Sequence, residues 1–187
     1  MIREKLWGNV DDKLSAGIYT MLQFVVLGII AWATGRPFIF PSLGPSAYLM
    51  ATGEVDRAEG GYHIIGGHTV AVITGMIAYH PIAAGIASPD VFGADPAAFS
   101  PDVLLLAISA TIGMVLCTIA MLVVKTNHPA ACATVLIVAL GIMADPLDGA
   151  IIIGAVIVLY VHQEKIVYPL AIKYGFEPED PRPNDDG

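Results

Sequence analysis

The chain has 187 residues, 56% of them hydrophobic and only 14% charged, with a mean hydropathy of +0.70. Soluble domains carry about 25% charged residues, so an ordinary soluble domain is excluded and a single membrane domain, with no separate soluble module, is indicated. The net charge of −8 collects in the loops and in an acidic tail holding Glu177, Glu179, Asp180, Asp185 and Asp186, and nothing basic or aromatic points to nucleic acid.

Residues 1–14 read as a cytoplasmic surface segment, charged by Arg3, Lys5, Asp11, Asp12 and Lys13, with Trp7 as an interfacial aromatic. Residues 15–34 form the first hydrophobic helix, too long for a secretory signal, and Gly35-Arg36-Pro37 breaks it. Residues 38–52 are a second, shorter apolar segment broken by Pro41, Gly44 and Pro45, and 53–63 read as a polar loop. A third helix is expected over 64–79, with Gly67, Ala71 and Gly75 on one face, a spacing that favours close helix packing. An Ala/Pro/Asp-rich connection fills 81–100. Ser100-Pro101 then reads as N-cap and first helical residue of a full-length fourth helix over 102–124.

The polar cluster Lys125-Thr126-Asn127-His128 runs into an apolar segment opened by Pro129. Thr126 or Asn127 is a suitable N-cap, and Pro129 falls in the first helical turn, where its missing N–H costs nothing. The apolar run is about 15 residues, under the roughly 17–25 a spanning helix needs. A helix N-terminus, with unpaired N–H groups and partial positive charge, is therefore expected at or below the membrane surface, where it suits an anion or polar solute. Asp145-Pro146 opens a sixth helix over 147–162, and 164–187 form an acidic cytoplasmic tail. Cys117 and Cys132 lie in apolar segments and read as packing residues.

The fold class is thus an all-α membrane protein, with a transmembrane domain over 15–163 and six hydrophobic segments, the second and fifth short and proline-broken. Six crossings put Arg3, Lys5, Lys13, Arg57, Lys125, Lys165, Lys173 and Arg182 on one side and only Arg36 on the other. That asymmetry places both termini in the cytoplasm of a cell-membrane protein. Each half carries a long helix, a short proline-headed segment and another helix, and Gly44-Pro45-Ser46-Ala47 lays over His128-Pro129-Ala130-Ala131. Three crossings per half would make the halves inverted repeats, a recurring plan of transporters and channels.

His128 is the sharpest candidate, as a donor to a bound anion or as a gate that changes charge near neutral pH; the plainer reading is a helix-capping histidine. His68, inside the third helix, is an ionisable intramembrane group, or else a structural hydrogen-bond donor. Ser42 and Ser46 offer hydroxyls, Gly44, Pro45 and Pro129 the irregular backbone, and Asn127 a further donor. Lys125 places a positive charge at the inner mouth, unless it only snorkels. His80 and His162 are expected at helix ends, facing the interface. The acidic residues fall in loops, which weakens a proton-relay pump. No His/Cys pair has metal-ligand spacing, no cofactor motif is present and no acid–base constellation favours an enzyme.

Three blocks stand in order: Phe40-Pro41-Ser42-Leu43-Gly44-Pro45-Ser46-Ala47, Ile65-Gly66-Gly67-His68, and Lys125-Thr126-Asn127-His128-Pro129-Ala130-Ala131-Cys132 running on through Ala133-Thr134-Val135-Leu136. Together they resemble the characteristic blocks of the HPP family of integral membrane proteins, named for a His-Pro-Pro motif. The resemblance covers roughly residues 15–162 and departs at Ala130, where the family usually has the second proline. Some family members, in plant plastids and cyanobacteria, are implicated in nitrite transport. The resemblance therefore implies a small anion, nitrite or similar, bound near His128, His68, Ser42 and Ser46. The alternative is a membrane sensor or scaffold that transports nothing. The lipid bilayer is a partner on either reading, and so small a bundle is expected to form homo-oligomers.

Overall fold

The structure, a computed structural model, describes residues 2–52, 57–90 and 98–174. Its main elements are α1 (Ile2–Thr34), α2 (Leu43–Thr52), α3 (Arg57–Ile82), α4 (Pro101–Val124), α5 (Ala131–Ala139), α6 (Pro146–His162), a π-helical turn (Gln163–Val167) and α7 (Tyr168–Tyr174). No strand occurs among the described residues. Among the described residues, three stretches are long and apolar enough to cross a membrane: Ala16–Thr34, Pro101–Val124 and Pro146–Leu170. At 1.5 Å per residue, the 24 residues of α4 rise about 36 Å, enough for a hydrocarbon core of about 30 Å.

The long helices are two-faced in the way a bilayer demands. On α4, Leu106, Ser109, Gly113 and Cys117 are buried, while Leu104, Ile108, Ile112, Val115 and Ile119 are exposed. On α1, Tyr19, Gln23 and Leu27 are buried while Met21, Val25 and Ile29 are exposed. Both sets recur at helical spacing, and an exposed stripe of Ile, Leu and Val on such a helix faces lipid.

The proline starts read from the sequence hold at α4, where Ser100 is the N-cap with Pro101 next, and at α6, where Gly149 N–H donates to the Asp145 carbonyl at 3.0 Å. Ser100 makes no side-chain cap bond, so it is the proline geometry that sets that start. Pro45 occupies the first turn of α2, where a missing N–H is not needed, and the irregular backbone lies ahead of it, over 35–42.

Other boundaries differ from the sequence reading. The expected polar loop over 53–63 gives way to helix at Arg57, and α3 runs on to Ile82; residues 53–56 lie outside the described residues. His68 therefore stands well inside α3 rather than one turn from its start. The fifth helix stops at Ala139, not near Ala144. The backbone reverses at Gly141, whose φ of 79° suits glycine, and where a Cβ would meet the Tyr79 ring at 2.6 Å. The sixth helix ends at His162 as read, but the π-helical turn and α7 carry the helical course, with Ile166, Val167 and Leu170, on to Tyr174. Residues 175–187, with the acidic cluster of the tail, lie outside the described residues. Asp102 and Asp148 stand in the first turns of α4 and α6, and Glu164 in the π-helical turn, so these acids are helical rather than in loops.

The chain divides into two compact units, Met1–Gly61 with Ile157–Gly187, and Tyr62–Val156. These are not the two halves of the expected repeat, because the body of α3 falls in the same unit as α4 and α5.

In the second unit the small-residue face of α3 packs on α5 and its lead-in. A Cβ on Gly67 would lie 2.8 Å from His128 Cβ, and one on Gly75 2.7 Å from Val138 Cβ and 3.2 Å from the Val135 carbonyl oxygen. Ala71, Cys117, Ala131 and Val135 form one buried cluster across α3, α4 and α5. Ser109 on α4 donates to the Ala139 carbonyl at 2.7 Å, at the last turn of α5. Helices in lipid associate through such close van der Waals fit and hydrogen bonds rather than through water expulsion. The Gly67/Ala71/Gly75 face is thus used inside the subunit.

In the first unit Tyr19, Ala51 and Val167 pack α1, α2 and the π-helical turn together. Where α3 begins, a Cβ on Gly61 would meet the Tyr160 ring at 3.0 Å.

Candidate functional site

The second unit brings two of the sequence-selected residues, His68 and His128, into one neighbourhood. His68 on α3 is fully buried, and its Nδ1 lies 2.6 Å from Thr134 Oγ1 on α5. Its ring stands 5.2 Å, centroid to centroid, from that of His128, at a tilt of 60°. His128 is also buried, whereas Asn127 and Pro129 on either side are exposed.

The lead-in to α5 explains how the second histidine is turned inward. Helix α4 ends at Lys125, a non-glycine residue in the left-handed region with φ 59° and ψ 32°. The N–H groups of Lys125 and Thr126 both return to the Met121 carbonyl, the latter at 3.0 Å. This left-handed residue swings the chain across α3. Asn127 N–H donates to His63 Nδ1 at 3.0 Å, which requires that nitrogen to be unprotonated. Tyr62 donates from its hydroxyl to the Val124 carbonyl. The chain then tightens into successive i→i+3 bonds, Ala131 to His128 at 3.0 Å and Cys132 to Pro129 at 3.0 Å. Neither Thr126 nor Asn127 caps α5 as expected; Ala130 holds that position without a side-chain bond. Glycine at 66 and 67 lets this lead-in approach α3, since a Cβ on Gly66 would lie 2.7 Å from Thr126 Cγ2.

His128 lies in the connection between α4 and α5, outside the long helices. Burial, with His63 nearby adding to it, lowers its pKa from 6.5 to about 4. The neutral form is thereby favoured at physiological pH. A neutral imidazole still offers one N–H donor.

Ser42, Gly44, Pro45 and Ser46 belong to the first unit, at the start of α2. Ser42 and Ser46 are buried there, and the Ser46 hydroxyl donates back to the Ser42 carbonyl at 3.3 Å. Lys125 is exposed. His80 is exposed near the end of α3. His162 is the last residue of α6 and is buried where that helix passes into the π-helical turn.

Sequence reasoning gave no site role to Thr134 or His63 and took Thr126 only as a helix cap, whereas it is fully enclosed with no partner for its hydroxyl. The signal for His63 was the length of α3: once the helix begins at Arg57, His63 is helical, not in a loop. Thr134 gave no local signal, because its partner lies 66 residues away. Among the described residues no three His, Cys, Asp or Glu side chains are placed to hold a metal ion, and Cys117 and Cys132 are free thiols.

Long apolar helices, faced with lipid-type side chains and packed through small residues and buried histidines, define a multi-pass, all-helical membrane protein. The family described as HPP, transmembrane region, matches residues 7–171. The chain belongs to the HPP family. No curated protein and no solved structure matches it.

Proposed function

We infer that the protein is a multi-pass transporter or channel for a small anion of the nitrite class. The observation that carries this reading is the pairing of His68 and His128, two buried imidazoles 5.2 Å apart at the head of a helix too short to span a bilayer. An ionisable residue inside a membrane helix is costly to keep and marks a solute path by default. Both rings offer N–H donors, and the N-terminal end of α5 adds partial positive charge, so an anion is favoured without a full cation at mid-membrane. Asn127 and Lys125, exposed on the approach to His128, draw the anion toward it. The small anion also follows from the family, some of whose members are implicated in nitrite transport.

The rest of the reading concerns topology. Six segments cross or enter the membrane as two inverted sets of three, with α2 and α5 the short members. Both termini lie in the cytoplasm of a cell membrane, on the side holding eight of the nine basic residues named above. The functional form is a homo-oligomer.

The test is anion entry into liposomes holding the purified protein, with nitrite, nitrate and chloride compared. His68→Gln and His128→Gln variants run beside the native chain. Nitrite entry that falls at least about tenfold in either variant is expected, the loss that removal of a buried hydrogen bond to a charged group predicts. Folded protein that passes none of the three anions ends the transport reading and returns the chain to a scaffold or sensor role.

A further inference from the structure

The chain contains two glutamines, Gln23 and Gln163, and they are bonded to each other. They lie 140 residues apart, one on α1 and one at the first position of the π-helical turn. Both are buried, and both fall inside stretches apolar enough to span a membrane. A single extra residue in a helical turn re-aims side chains, and such π turns recur at functional sites. Here the turn is closed by Tyr168 N–H donating to the Gln163 carbonyl, and Gln163 is directed into the protein.

The hydrogen bonds fix which way each amide points. Gln163 Nε2 donates to the Met50 carbonyl at 3.4 Å, at the end of α2. A carbonyl only accepts, so the amide nitrogen must face it and the amide oxygen must face the other way. That oxygen accepts from Gln23 Nε2. Gln23 Oε1 is then left over, buried and without a partner. His162, the residue before Gln163, is likewise buried with no partner for its Nδ1. An unmade hydrogen bond at a buried polar atom costs about 1–3 kcal/mol, and lipid offers no partner for it.

We propose that Gln23 and Gln163 form a second polar site in this protein, one that binds water within the membrane-embedded part of the first unit. Gln23 Oε1 is an acceptor only, so its ligand must bring a proton donor. Water meets that demand, and small uncharged hydroxyl or amine compounds share that chemistry. Anions do not, because the outward atom of the pair is a carbonyl oxygen. The site is thus opposite in preference to the His68–His128 pair and stands independently of the anion reading.

The presence of only two glutamines makes the test direct. Protein labelled with 15N at the glutamine side-chain amides gives two amide signals and no others, and a second preparation labelled at the leucine backbone amides supplies the signal of Leu27. In bilayers, magnetisation transfer from water to these signals is followed by solid-state NMR, with the backbone amide of the fully buried Leu27 as the dry reference. The expected result is transfer to the glutamine amides at least about tenfold faster than to Leu27, as for groups in contact with ordered water. Transfer no faster than to Leu27 overturns the proposal. Adding glycerol or methylamine separates the ligands: signals that shift only with the additive assign the site to those compounds rather than to water and overturn the water assignment. The native chain serves throughout, so no variant has to fold.

Discussion

His68 Nδ1 and Thr134 Oγ1 meet at 2.6 Å with both side chains fully buried, tying the body of α3 to α5. Thr134→Val keeps the shape of the threonine and removes the hydroxyl. It leaves His68 with a buried nitrogen lacking that partner, a loss of about 1–3 kcal/mol. The expected outcome is a lower melting temperature for Thr134→Val in detergent and a near-native one for Thr134→Ser, followed by circular dichroism. Equal melting of the valine and native proteins would show that the bond contributes nothing.

The neutral state of His128 sets a pH dependence whose sign can be worked out. Its pKa is about 4 when folded against 6.5 in its ordinary state. The folded form binds its proton less readily than the unfolded form, so stability is full above pH 6.5 and falls as pH drops from 6.5 toward 4. Anion entry should be flat between pH 8 and pH 7, then decline with stability below that. A His128→Gln variant should show a weaker acid dependence of melting. A midpoint near 6.5 in the anion entry of folded protein would mean that His128 titrates as an exposed histidine does.

Two glycines predict opposite responses to the same substitution. A Cβ at Gly75 would stand 2.7 Å from Val138 Cβ and 3.2 Å from a backbone oxygen, while at Gly154 it would meet nothing within 4 Å. Gly75→Ala must push α3 and α5 apart, at a cost of about 1–3 kcal/mol. Gly154→Ala, in the interior of α6, removes glycine's entropic penalty and should stabilise by up to about 1 kcal/mol. The order of melting temperatures Gly154→Ala, native, Gly75→Ala checks both in one experiment.

What was legible in the sequence was what is local. Pro101 and Pro146 mark helix starts because a proline at the first helical position carries its own geometry. The Gly67/Ala71/Gly75 stripe announced a close helix contact, and Ala71 and Gly75 indeed lie against α5. The start of α3 was not legible, because Gly60-Gly61 and the charges around them favour a loop when taken alone. Packing of Gly61 against the Tyr160 ring is a long-range cause that no window of sequence contains. The same holds for the site. His68 and His128 could be singled out by residue type and setting, but their pairing with each other and with Thr134 is a matter of tertiary structure. Gln23 and Gln163 drew no notice for that reason, being buried polar residues whose only evident partners lie in distant parts of the chain.

Lys125 closes α4 with φ 59° and ψ 32°, a conformation that costs a side-chain-bearing residue about 1 kcal/mol and glycine nothing. A lysine kept there against this cost invites two separable measurements. Lys125→Gly relieves the backbone and removes the charge. Lys125→Asn removes the charge while retaining a residue that tolerates the left-handed region. Both should melt higher than the native protein, the glycine variant by the larger margin, equivalent to about 1 kcal/mol. If the charge draws anions to His128, both variants should slow anion entry to a similar degree, and added salt should slow the native protein toward them, because exposed charges are screened within about 10 Å at 0.1 M. Higher melting with unchanged entry would assign Lys125 to setting topology alone, since a snorkelling lysine needs only to reach the membrane surface.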